Sequence, residues 1–71
     1  MTKNEEERKR IGRRIAAIRQ ETGMTQEELA ERAGLQPSNI ARIERGMYGV
    51  NIDVLGNIAG ALGCKVDFIR L

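Results

Sequence analysis

Seven consecutive positions, Gln36-Pro37-Ser38-Asn39-Ile40-Ala41-Arg42, gather amide, hydroxyl and guanidinium groups into one short stretch. An amide such as that of Asn39 can pair with adenine through two hydrogen bonds. A guanidinium such as that of Arg42 can do the same with guanine O6 and N7, each good pair discriminating by about 1–3 kcal/mol. Reading bases this way requires a helix whose polar side chains stand near its N-terminus and reach outward. The same residues on an unremarkable helix would only be solvated, so the surrounding elements decide between the two readings.

Those elements run from Thr25 to Gly46, TQEELAERAGLQPSNIARIERG. Thr25 with Glu28 three residues on is a capping box, hydroxyl and carboxylate each taking a backbone N–H otherwise left bare. Leu29, Ala30 and Ala33 fall on one face of the helix that follows. Gly34 ends it where a positive φ is wanted, which glycine adopts at little cost. Pro37 suits the first turn of the next helix, where its missing N–H would have gone unbonded. Ile40 and Ile43 point inward and Gly46 stops the segment. Two short helices around a glycine turn are the layout of a DNA-binding helix-turn-helix.

Two more helices flank the pair. From about Glu5 to Thr22, Ile11, Ile15 and Ile18 mark an inward stripe, and Glu5, Glu6 and Glu7 lie by the positive helix end. After a loop, Met47-Tyr48-Gly49-Val50, Asn51 is a plausible N-cap with Asp53 in the first turn. Ile52, Leu55, Ile58, Ala59 and Leu62 form the apolar face of that last helix. Gly56 and Gly60 make a small-xxx-small pattern, read either as a close dimer contact or as tolerated weakness. Cys64 to Leu71, CKVDFIRL, is rich in branched and aromatic residues and reads as a short β-strand. A lone strand must find a partner, and no other segment looks like one. The sharper reading pairs it with the same strand of a second subunit. In the plainer one it is a tail whose Val66 and Phe68 cover the core.

Composition bounds the rest. Seventy-one residues give room for one small domain, residues 1–71, burying about 60% of its unfolded surface, so association would help it. Twelve Lys and Arg against ten Asp and Glu leave a net +2, too weak a signal for nucleic acid on its own. Arg8, Lys9, Arg10, Arg13 and Arg14 cluster in the first helix, but the glutamates before them offset much of that charge. A single cysteine forbids an intrachain disulfide and fits a reducing, cytoplasmic setting. Cys64 itself reads as a small buried hydrophobe. No apolar stretch approaches the roughly 20 residues of a membrane span. With no histidine, no metal-type Cys/His cluster and no phosphate-cradling glycine loop, the expectation is no catalysis, no metal and no cofactor.

From about Ile11 to Leu62 the chain resembles the Xre-type helix-turn-helix family, which includes the lambda and Cro-like repressors. Arg19, Thr25 to Ala30, Ala33-Gly34-Leu35, Ile40 and Ile43 to Gly46 carry the resemblance. It implies an all-α, compact bundle of four to five helices that binds operator DNA as a dimer. Its base-reading positions correspond to Gln36, Pro37, Ser38, Asn39 and Arg42. Phosphate contacts are expected from Gln26, where backbone N–H groups and the helix dipole favour an anion. The resemblance adds Arg45, Met47 and Tyr48 as a second phosphate clamp. Here the chain departs from pattern, carrying Met47 where relatives often have lysine or arginine. Arg19 and Glu44 correspond to an ion pair that positions the reading helix. The C-terminal strand resembles that of antitoxin-type members, which makes Val66, Phe68, Ile69 and Leu71 the expected dimerisation residues.

The function expected from all this is sequence-specific binding of double-stranded DNA. The chain would be a transcriptional regulator, a repressor, acting as a homodimer on a near-palindromic operator. The alternative is the antitoxin of a toxin–antitoxin pair, binding a toxin or other protein partner and regulating its own gene.

Overall fold

The computed structural model describes residues 3–47 and 49–71. Four helices follow one another, α1 Lys3–Glu21, α2 Gln26–Ala33, α3 Pro37–Glu44 and α4 Ile52–Ala61. The starts of α2 and α4 are set by side chains. Thr25 Oγ1 accepts from the Glu28 N–H at 3.0 Å, and Glu28 Oε1 accepts from the Thr25 N–H at 2.9 Å, the reciprocal box expected from sequence. Hydrogen bonding to the Thr25 backbone N–H, and then to the Thr25 side chain, holds the Glu28 carboxyl below its ordinary range. Asn51 Oδ1 caps α4 by accepting from the Val54 N–H at 2.8 Å. Pro37 opens α3 behind Gln36, whose side chain makes no capping bond.

All four helices end in one way. Gly23, Gly34, Gly46 and Gly63 take φ between 71° and 75°. The N–H of the residue after each glycine reaches back five positions: Met24 to Arg19, Leu35 to Ala30, Met47 to Arg42 and Cys64 to Ala59, at 2.7 to 3.0 Å. This satisfies carbonyls that a helix end would otherwise leave bare. Short connections follow, so α2 and α3 are held close at a fixed angle.

The core is aliphatic. Leu29, Ile40 and Ile58 are fully buried, with Ile15, Met24, Ala30, Ala33, Ile43 and Leu62 around them. Ile11, Ile18 and Leu55 pack partly buried against this cluster. Helix α2 sits between α3 and α4, while α1 lies across α3. No helix among the described residues is long and apolar enough to cross a membrane.

Four expectations are corrected. Residues 64–71 form no strand, and among the described residues there is none, because a strand exists only through a ladder and this chain offers no second edge. Nor does the tail cover the core, since Phe68 is 99% exposed and Val66, Ile69 and Leu71 are exposed beside it. Cys64 is exposed rather than buried, because Gly63 turns the chain away from the core before reaching it. Ile52 is 65% exposed, because it is the first residue of α4 and precedes the turn that faces α2.

One contact is invisible to sequence patterning. Gly12, in the middle of α1, lies against the last carbonyls of α3. A Cβ there would meet the Ile43 carbonyl oxygen and stand 2.6 Å from that of Glu44. Only a bare backbone fits, and the atoms opposing it are backbone too. By contrast, nothing lies within 4 Å of where a Cβ would stand at Gly56 or Gly60. Gly12→Ala is therefore expected to destabilise the fold by about 1–3 kcal/mol through overpacking. Gly56→Ala should stabilise it by about 0.5–1 kcal/mol. Urea unfolding of the two variants side by side checks both signs.

Candidate nucleic-acid interface

The position of α3 is fixed at its C-terminal end. Glu44, the last residue of the helix, accepts from Arg19 Nε at 2.6 Å and Arg19 Nη2 at 3.0 Å, a two-pronged pair reaching across from α1. Its Oε1 also accepts from Gln26 Nε2 at 3.0 Å, at the start of α2. Arg19 Nη1 donates onward to the Met24 carbonyl at 2.8 Å, in the turn between α1 and α2. One carboxylate thus ties three helices and a turn together. The side chains of Arg19 and Glu44 are only 12% and 6% exposed. Hydrogen bonding to Glu44 raises Arg19 further above its ordinary value, so the charge is secure.

Along α3 the inward and outward residues separate cleanly. Ile40, Ile43 and Glu44 are buried. Gln36, Pro37, Ser38 and Arg42 are exposed and Asn39 is half-buried, so all five expected base-reading residues lie on the chain's open side. Among the described residues nothing buries Gln36, Pro37, Ser38 or Arg42. At eight residues the helix is about 12 Å long, comparable to the width of a B-DNA major groove.

The expected phosphate contacts fare less evenly. Gln26 is half-buried, and one of its two amide protons is already spent on Glu44, a role that sequence did not reveal. Arg45 is exposed, with its Nε leaning on the Ala41 carbonyl at 3.4 Å. The Met47 N–H is bonded to the Arg42 carbonyl at 3.0 Å, and its 62% exposed side chain has no proton to donate. Tyr48 lies outside the described residues. Among the described residues no group of three or more His, Cys, Asp or Glu could hold a metal.

Known proteins share this fold. A helix-turn-helix family model matches residues 15–69, which include both short helices and most of the tail. The chain belongs to the Xre-type helix-turn-helix family. It is 48% identical over 59 residues to the immunity repressor protein of Bacillus phage phi105, covering 83% of this chain and 41% of that protein. It therefore spans about two fifths of that repressor's length. A 36% identity over 61 residues links it to the competence pilus inhibition repressor of Acinetobacter baylyi, covering 86% of this chain and 56% of that one. Among solved structures, the restriction-modification controller protein C.AhdI from Aeromonas hydrophila superposes with a TM-score of 0.81. The two share 30% identity over 83% of this chain and 89% of the controller.

The Glu44 cluster makes a sharp prediction. Removing one member of a buried pair strands the other charge and costs about 3–5 kcal/mol, against a total of roughly 4–11 kcal/mol for a chain of this length. Glu44→Leu should leave the domain largely unfolded in mild denaturant. Adding Arg19→Met to that variant should recover much of the loss, and calorimetry of the cycle measures the coupling.

Proposed function

We propose that this chain reads duplex DNA through the outward face of α3 and acts as a transcriptional repressor. The observation carrying this reading is the polar row of exposed Gln36, Ser38 and Arg42 with half-buried Asn39, on a helix whose end is held by Glu44. A rigid backing matters because bidentate base contacts tolerate little wobble. Arg42 takes guanine and Asn39 takes adenine. Gln26 and Arg45 hold the flanking phosphates, contacts that set register without reading sequence. The relatives named as repressors lend the direction of control.

The active unit in this reading is a homodimer. Phe68, Ile69, Leu71 and Val66 leave an apolar tail in water, which association with a second copy would relieve. Two α3 helices would then enter successive major grooves about 34 Å apart on a near-palindromic site. A second reading, as an antitoxin-type module with a toxin or other protein on the tail, draws on the same exposed residues. Co-purification of a stable second protein would favour it. A clean homodimer that shifts DNA alone favours the repressor.

Two measurements test the proposal. In binding to DNA from upstream of the chain's own gene, Arg42→Ala should lose about 1–3 kcal/mol at one base position and relax preference there. If sequence preference survives intact, the assignment of α3 fails. In sedimentation, deleting residues 66–71 should shift the protein toward monomer; an unchanged dimer places the subunit contact elsewhere.

A further inference from the structure

The loop after α3 lacks a cation at Met47, yet the fold brings one to it from another helix. Gly46 sits so close to α1 that a Cβ on it would stand 2.7 Å from both Lys9 Cα and Lys9 Cγ, and 2.8 Å from Lys9 N. The lysine stem therefore lies across the Gly46 peptide, next to Arg45. Gly46 is glycine for two reasons, its positive φ of 71° and this contact. Lys9 forms no ion pair among the described residues, whereas its neighbour Arg10 is bound to Glu7 at 2.8 Å. Arg13, one helical turn further along the same side of α1, is exposed. Lys9 on α1 thus packs against the residue that follows Arg45, with Arg13 one turn further along α1.

A helix about 12 Å long that fills the groove meets bases along its length and sugar-phosphate strands at its ends. Groups beside its C-terminal end then face backbone, where a lysine acts as a flexible point charge on an anion. We propose that Lys9, held against Gly46, is a DNA phosphate contact that supplies the positive charge the post-α3 loop lacks, with Arg13 extending the contact along α1. The inference rests on α3 entering the major groove.

The test uses a mixed-sequence duplex, because a phosphate contact is indifferent to sequence, and reads affinity between about 50 and about 200 mM salt. Lys9→Met keeps the stem over Gly46 and removes only the charge. The slope of log affinity against log salt should fall by about 1 per bound subunit. Over that fourfold range the variant then loses about three- to fourfold less affinity than wild type for each bound subunit. Lys9→Arg should restore the slope, and the unfolding midpoint of Lys9→Met should match wild type. A wild-type slope in Lys9→Met overturns the inference and leaves the DNA reading standing. A reduced slope accompanied by a lowered unfolding midpoint, or one that arginine does not restore, makes Lys9 structural and also overturns it. Absence of salt-dependent duplex binding by the wild type defeats both.

Discussion

The geometry of this fold depends on a buried carboxylate. Glu44 fills three of its roughly four lone-pair sites from Arg19 and Gln26. Burying an ion pair gains little net stability over an apolar substitute. What it provides here is placement, because an aliphatic core alone tolerates sliding of one helix over another. Charge-assisted, two-pronged bonds do not. The distance between α1 and the end of α3 is thereby fixed twice, by this pair and by the bare backbone at Gly12.

The glycine-terminated helix ends reinforce the same constraint. Each reaches back five residues to close its own helix, and the connections that follow α1 and α2 are short. Helices α2 and α3 behave as one rigid corner, with α1 clamped behind it and α4 under α2. Small domains of this size gain little from their cores, so tight local geometry carries much of the specification.

Much of this was legible from residue types. Capping boxes, glycine stops and inward isoleucines act locally, so Thr25, Glu28, Gly34, Ile40 and Ile43 announce their own roles. What was not legible depends on distant partners. Gly12 looks like a weak point in a helix until the α3 carbonyls opposite it are seen. Gln26 advertises an anion-binding helix start and conceals its bond to Glu44. Position 47 is placed in a phosphate clamp by the family resemblance, while the bond of its N–H to the helix ending shows only in the structure. Residues 64–71 have strand composition without a neighbour to make it a strand, and composition cannot supply that neighbour. Cys64 and Ile52 look apolar enough to bury, yet each sits one step outside the packed turn.

Interleaving along α3 has an evolutionary corollary. Ile40, Ile43 and Glu44 fold the helix, while Gln36, Ser38 and Arg42 touch nothing the core needs. Exchanges at such solvent-facing sites usually shift stability by no more than about 0.5 kcal/mol. On the proposed reading of α3, descendants of this chain can therefore drift toward new targets without first acquiring compensating changes inside. The scaffold is conservative, and its vocabulary is cheap to rewrite.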